Sequence, residues 1–381
     1  MNYIFHISNT DIRLDNRICK ELQVIDEAFD FPVAVVGVPD DGKSSISRIG
    51  SVVYFAMHLV SRRLRFLPRP VRYVFELIEF TVKAIFHGAR LQPSIVHCHD
   101  TFALPAGWFL KLLYKSKLIY DAHELESNKN GQNRLLSYAT LMIEKFCWNK
   151  IDLIVSVSDS IIEWYVNTFG KISNILVLNS PDLNVENHDV TKYCEKYFHN
   201  VYGIDDGKLV FAYLGILGHG RGIEAILDAF TAPMLDAHLV FIGKGVLASK
   251  IDHYSRQYSN VHLHDPVPHE QVVSLVKHAN FGLCFIENVS LSDYYCLPNK
   301  LFEYVFAGLS VLACDFPEIK NVVTRYSLGI CCTPDESNIR SAVNSVIQNG
   351  VVKKANGDLH ELSWSAQASR LKTAYSELLN N

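Results

Sequence analysis

The chain has 381 residues, enough for two domains that each bury a core, and it is 49% hydrophobic and 20% charged with a mean hydropathy of +0.08, a globular composition. Its net charge of −4 and the lack of any nucleic-acid-binding motif argue against a nucleic-acid partner, and no apolar run approaches the roughly 20 residues of a membrane span. The nine cysteines form no CxxC pair and sit mostly inside apolar runs, which suits reduced, buried thiols in a cytosol rather than a disulfide framework or a metal centre. The opening "MNYIFHISNTDIRLDNR" carries no basic leader and turns polar by Ser8, so the expected location is cytoplasmic.

In chain order, β-branched runs predict strands at 3–8, 32–38, 94–100, 117–123, 153–158 and 174–178. Helix-length segments lie between them at 50–66, 71–90, 103–115, 132–150 and 159–169. Runs such as "LIVSVS" are continuously apolar, as in strands covered on both faces. One stretch stands apart in charge. From Arg48 to Arg90 eight basic residues face only Glu76 and Glu79, interleaved with Phe, Leu, Val and Tyr. Such a stretch either lies on an anionic membrane surface or forms an ordinary solvated helix pair. A polar segment at 179–189 interrupts the pattern, and a second series of strands follows at 209–215, 237–243, 261–267, 281–286, 310–315 and 329–332.

Strands alternating with helices imply parallel sheets, and the repeat of the series after residue 180 implies two of them. The predicted architecture is α/β, with two Rossmann-like, doubly wound domains facing a central cleft. Ligands in such sheets bind beyond the carboxyl ends of the strands. The residues directly after each strand are therefore the candidates for function.

After the strand at 209–215 comes "GILGHGRGIEAILDAF", a glycine turn opening a helix. Glycines let a ligand approach the backbone, and helix N–H groups favour an anion, so Gly215, Gly218 and Arg221 make either a phosphate site or a tight structural turn. "IGKGV" at 242–246 repeats the arrangement and offers Lys244. Neither turn fits a dinucleotide fingerprint or a P-loop. At 296–315, "CLPNKLFEYVFAGLSVLACD" begins a helix at Pro298 with Asn299, Lys300 and Glu303 near its entrance. Glu303 would accept paired hydroxyls of a sugar or ribose, or would simply complement the helix dipole. Lys300 would meet phosphate. His97 and His99 in "VHCHD" invite a metal, but hydroxyl positioning or helix capping at Asp100 is the preferred reading.

"LPNKLFEYVFAGLSVLA", the 215–230 turn, "SIVHCHD", "YDAHELES", "IVSVSDSI" and "NSPD" together resemble, in order and spacing, the retaining glycosyltransferases of family 4 with the GT-B fold. The resemblance covers nearly the whole chain. It implies an acceptor-binding domain at 1–180, a nucleotide-sugar-binding domain at 181–360, and a last helix at 361–381 that crosses back to the first. It places Glu303 on the ribose, and Arg221 with Lys244 or Lys300 on the diphosphate. Gly215 and Gly218 would allow close backbone approach, with Asn299 beside them. His123 would stand near the transferred sugar with Asp100. Thr10, Asp11, Arg13 and Arg17 fall in the acceptor loop. The chain departs from the family at Tyr295, where a donor-contacting glutamate is usual; Glu287 and Asp293 are the carboxylates that could substitute. No metal is required, because fixed cations and N–H groups can stabilise a diphosphate leaving group.

These features imply transfer of a sugar from a nucleotide diphosphate sugar to a glycan or lipid-linked acceptor, with retention, in bacterial surface glycan synthesis. The basic 48–90 stretch would make peripheral contact with an anionic membrane. Two alternatives stand beside this: a nucleotide-sugar 2-epimerase of the same fold, and a catalytically silent partner subunit suggested by Tyr295.

Overall fold

The computed structural model describes residues 3–64, 66–182, 193–233, 235–350 and 358–380. The chain divides into two compact units, one of Met1–Leu178 with Gln367–Asn381 and the other of Asn179–Ala366. The polar stretch expected at 179–189 lies, from 183 onward, outside the described residues, as does Arg65 of the basic stretch.

The first unit carries eight strands: β1 (Ile4–Ile7), β2 (Val33–Gly37), β3 (Ser45–Ile49), β4 (Val52–Ala56), β5 (Ile95–His99), β6 (Lys117–Ala122), β7 (Leu153–Ser156) and β8 (Asn174–Leu176). Between them run α1 (Asn16–Ala28), α2 (Arg69–Leu91), α3 (Leu104–Tyr114), α4 (Arg134–Cys147) and α5 (Asp159–Phe169). The strands form one sheet in the order β3-β4-β2-β1-β5-β6-β7-β8, parallel throughout except for the β3–β4 pair. The central strands β1, β2, β5 and β7 are buried at every position, which is why they read as continuous apolar runs.

One expected element is corrected. The helix read at 50–66 is instead a hairpin followed by a short 3-10 turn at Val60–Arg63. "VVYFA" is β-branched and aromatic, and in β4 its residues alternate between buried and half-buried, the period of a strand. The hairpin turns at Gly50, whose φ of +62° is open to glycine and strained for other residues, and β3 is an exposed antiparallel edge. A helix the sequence reading passed over, α1, follows β1; Asp15 caps it by accepting from the Ile18 N–H, and it buries Ile18, Leu22 and Ile25.

The second unit contains α6 (Tyr197–Tyr202), β9 (Leu209–Leu214), α7 (Ile223–Phe230), β10 (Ala237–Ile242), α8 (Ala248–Gln257), β11 (Val261–His264), α9 (Val272–Val276) and β12 (Phe281–Cys284). It continues with α10 (Leu291–Tyr294), α11 (Asn299–Phe306), β13 (Ser310–Cys314), α12 (Pro317–Arg325), β14 (Gly329–Cys332) and α13 (Glu336–Asn349). Its sheet is wholly parallel, in the order β11-β10-β9-β12-β13-β14. The final helix, α14 (Trp364–Asn380), buries Leu371, Ala374 and Tyr375, and the Tyr375 hydroxyl reaches His97 of β5 at 2.6 Å. Both sheets are thus doubly wound and Rossmann-like, the α/β architecture the sequence predicts.

Candidate functional site

In the second unit, the carboxyl ends of β9 and β10 run into two glycine turns locked to each other. The Gly215 N–H donates to the Ile242 carbonyl (3.0 Å) and the Leu217 N–H to that of Lys244 (2.9 Å). The approach is so close that a Cβ on Gly243 would lie 1.9 Å from the Gly215 oxygen. Gly218 differs: an added Cβ would meet only Ile216, at 3.6 Å, so packing does not demand a glycine there.

Helix α11 stands beside these turns because Tyr304 pins it. The Leu214 N–H at the end of β9 donates to the Tyr304 hydroxyl (2.7 Å), which donates in turn to the Leu283 carbonyl (3.3 Å). The ring fits only because residue 282 is glycine, where a Cβ would fall 2.1 Å from it. Pinning the helix fixes Lys300, whose ammonium is buried 3.7 Å over the Tyr213 ring and has no hydrogen-bond partner. An unpartnered buried ammonium at a glycine turn is a standing preference for an anion. One turn further, the Glu303 carboxylate is buried, with Oε1 3.5 Å from His269 Nδ1. Asn299 is exposed at the head of the helix and Lys244 is exposed on its own turn.

The two carboxylates considered as substitutes for the missing glutamate both have structural partners. Glu287 accepts the Gly222 N–H (3.2 Å), and its own N–H donates to the Gly220 carbonyl (3.0 Å), so it braces the first turn. Asp293 forms a reciprocal cap with Ser290, receiving the Ser290 hydroxyl (2.7 Å) while its N–H donates back (3.0 Å). Arg221, half-exposed, lies 3.9 Å from Asp293. Tyr295 ends α10 and is half-buried.

In the first unit, β6 delivers Asp121 into a buried cluster. Arg17 donates to Asp121 Oδ1 (2.9 Å) and to the Val177 carbonyl (2.9 Å), and its Nε lies 3.1 Å from Glu21 Oε1. The expectation that Arg17 faces an acceptor is thereby corrected: the residue is on α1, buried, and held by two acidic neighbours. His123 Nε2 sits 3.0 Å from Asp121 Oδ2, and its Nδ1 is 3.9 Å from Asp100 Oδ1. Burial disfavours a charged imidazole at His123, but Asp121 and Asp100 outweigh it and raise its pKa to about 10. Burial likewise opposes the Asp121 carboxylate, yet Arg17 and His123 hold it well below the ordinary range. Burial and the Asp121 charge raise Glu21 to about 8.

Beneath His123 the rings of His99, His97 and His6 stack on one another, and burial lowers all three, His97 to about 3. They are neutral at pH 7, and Tyr375 closes the stack. Donor atoms of His6, His97 and His99, and of Glu21, His97, His99 and Asp121, lie within 4.8 Å of one another, compact enough for a metal ion. Arg17 and His123 already neutralise Asp121, however, so a divalent ion would bring excess positive charge into a buried space.

Asp11 accepts from Arg13 Nη2 (2.6 Å) and from the Asp40 N–H (3.2 Å); the Arg13 bond, against some desolvation, lowers its pKa to about 2. Thr10 is half-buried and hydrogen-bonded to Ser8. Next to this loop is a cavity of about 300 Å³ bordered by Asp40, His58, Arg62 and Arg63. Among the groups that sequence reasoning passed over, Tyr213, Tyr304 and His269 act across strands and helices distant in sequence. Asp121 was within reach of the sequence, as one of the residues at the carboxyl end of a predicted strand.

Both halves of the chain match known protein families. Residues 28–179 match the family described as Glycosyltransferase Family 4, and residues 208–349 match Glycosyl transferases group 1. No curated protein matches the sequence. Among solved structures, sucrose-phosphate synthase from Thermosynechococcus elongatus is similar over 100% of both chains, with 15% identity and a TM-score of 0.79. A trehalose-6-phosphate synthase, OtsA, matches over 100% of this chain and 99% of its own, with 10% identity and a TM-score of 0.73. Anabaena Alr3699/HepE, solved in complex with UDP-glucose, matches over 99% of this chain and 100% of its own, with 10% identity and a TM-score of 0.70.

Proposed function

From the premise that the chain belongs to the family 4 glycosyltransferases and uses a nucleotide-sugar donor, we propose that the second unit holds that donor and the first unit receives the acceptor. The observation that carries the proposal is the buried, unpartnered Lys300 ammonium beside Gly215, with the Glu303 carboxylate one turn away on the same helix. Lys300 and Arg221 face the diphosphate, Glu303 takes the ribose hydroxyls, and the turn at Gly218 admits the phosphates. Lys244 and Asn299, both exposed, border the donor, as does Tyr295. Glu287 and Asp293 hold the turn and Arg221 in place and act on the donor through them.

When the sugar–phosphate bond breaks, its electron pair stays on the leaving diphosphate, where fixed cations and N–H groups stabilise the growing charge without reorganising. The acceptor hydroxyl attacks the anomeric carbon from the same face, giving retention, and its proton passes to the leaving phosphate. His123 carries a proton at neutral pH, so it donates a hydrogen bond to a sugar oxygen and does not serve as the general base. Asp100 and Asp121 keep it charged. Thr10, Asp11 and Arg13 shape the acceptor loop, and the reaction proceeds without a metal. The acceptor is a glycan or lipid-linked sugar of bacterial surface glycan synthesis, reached at the cytoplasmic face of the membrane.

UDP is the first nucleotide to test, because structures of similar fold are described with UDP-glucose and UDP-2-fluoro glucose. Calorimetric titration of UDP, GDP, ADP and CMP, each with EDTA and again with magnesium, should reveal one nucleotide that binds equally in both conditions and is lost in Glu303→Ala. Absence of binding by all four would favour the silent-partner reading; binding only with magnesium would refute the metal-free donor site.

A further inference from the structure

Helix α2 has its polarity reversed. Its exposed face is formed by Val71, Val74, Phe75, Ile78, Val82 and Phe86, spaced as one helical stripe, while Arg72, Glu76, Glu79 and Lys83 sit half-buried. The neighbouring helices continue the pattern. On α3, which packs against α2, Phe109, Leu112 and Leu113 are exposed; on α4, which packs against α3, the exposed residues are Leu135, Tyr138, Met142 and Phe146. All of these side chains are between 42% and 63% exposed, and they share a three-helix layer. Isolated exposed apolar residues are ordinary, but a contiguous face of this size marks a binding surface.

Charge identifies the occupant. Every acidic residue on the three helices is already engaged: Glu76 pairs with Arg72 (3.2 Å), Glu79 with Lys83 (2.7 Å), and Glu144 is buried against Thr101, Tyr120 and Tyr165. The exposed charges on and around the face are all basic: Arg90, whose guanidinium stacks 3.9 Å over Phe86, and Arg134, Lys145, Lys115 and Lys150. A second copy of the chain docking here about a twofold axis would set this basic rim against itself. An anionic bilayer surface meets both features, with acyl chains accepting the apolar stripe and headgroups the rim.

We propose that the α2–α3–α4 face docks on an anionic membrane surface. The proposal narrows the peripheral-membrane part of the reading above, confining the contact within the basic 48–90 stretch to helix α2 and extending it to α3 and α4; it is independent of donor binding. The test is flotation of the full chain with phosphatidylcholine vesicles, with and without phosphatidylglycerol, at low and high salt. The wild type should float with the anionic vesicles, more weakly at high salt. Phe75→Ser with Val82→Ser on α2, and separately Leu112→Ser with Leu113→Ser on α3, should each lower binding by about tenfold or more. Nucleotide binding, measured on the same samples, should be unchanged and shows that the variants fold.

Several outcomes overturn the proposal. If both apolar pairs keep wild-type binding while Arg48→Glu with Arg62→Glu abolishes it, the membrane contact belongs to the basic stretch. If the wild type ignores anionic vesicles but sedimentation shows a dimer that the apolar pairs dissociate, the face binds a second copy. If it neither floats nor self-associates, the face is not a membrane dock. None of these results bears on the glycosyltransferase reading, which stands or falls on nucleotide binding.

Discussion

The two units handle buried charge in opposite ways. In the first, Arg17, Asp121, His123 and Asp100 neutralise one another, and the three histidines beneath them are uncharged. In the second, the Lys300 ammonium is buried over the Tyr213 ring and has no hydrogen-bond partner. The first arrangement is complete without a ligand and holds one imidazolium in a fixed place. The second is incomplete and gains most when an anion arrives. On the proposed reading, the first unit offers a fixed hydrogen-bond donor and the second a cation reserved for the leaving group.

The surfaces differ in the same sense. The first unit exposes a contiguous apolar face on three helices, whereas among the described residues of the second the exposed large apolar side chains are Val201, Ile216, Val246 and Val289, on separate segments. Ile216 and Val246 lie on the two locked glycine turns, within reach of whatever those turns bind.

Asp121→Asn should do the most damage to the first unit. It leaves Arg17 and His123 without their shared carboxylate, so urea unfolding of the first unit should lose about 3–5 kcal/mol. Three of the four tryptophans, Trp108, Trp148 and Trp164, lie in that unit, so tryptophan fluorescence reports mainly on it, with Trp364 in the second. A loss under about 1 kcal/mol would mean the cluster is not the charge-balanced core described here.

Tyr304→Phe comes next. Removing the hydroxyl leaves the buried Leu214 N–H without its acceptor, and the second unit should lose about 1–3 kcal/mol, measured by hydrogen exchange at β9. The first unit should be unaffected, and equal loss in both would show that the units do not hold their charge independently.

The pH dependence should be asymmetric. His123 has its pKa raised from 6.5 to about 10, so its stabilising contribution is full below pH 6.5 and is lost as pH rises through 10. His97 is lowered to about 3, so its contribution is present above pH 6.5 and declines as pH falls toward 3. The tryptophan-reported unit should therefore weaken on both sides of neutrality. A flat profile between pH 4 and 10, at about constant ionic strength, would contradict the assigned protonation states.

Gly218→Ala should have the smallest effect on stability, within about 0.5 kcal/mol, because the space over it lets an added Cβ make only an ordinary contact, 3.6 Å from Ile216. Nucleotide affinity should fall all the same if that space receives phosphate. Unchanged affinity would move the ligand away from Gly218.

Sequence periodicity located most strands to within one to three residues, because parallel strands buried on both faces leave uninterrupted β-branched runs. It failed at 50–66, where Val52–Ala56 forms a strand whose alternation is short and whose partner β3 is exposed and polar. The donor-side candidates were proposed from local signals, glycine turns and a Pro-Asn-Lys opening, and the fold sets the two turns and helix α11 side by side. Arg17 was misplaced because its environment is set by Asp121, 104 positions away. The reversed polarity of α2 was hidden for a related reason: its apolar spacing fits a buried face as well as an exposed one, and only the packing of α3 distinguishes them.

The central claim is that Lys300 is held unneutralised for a diphosphate. The most direct test is Lys300→Met, measured for thermal unfolding without ligand and for UDP binding by calorimetry in EDTA. The account predicts a protein at least as stable as the wild type, since a buried unpaired charge has been removed, with affinity lowered by about 10- to 100-fold. A destabilised variant that binds nucleotide as well as the wild type would contradict it, because Lys300 would then be a packing residue and not the anion's partner.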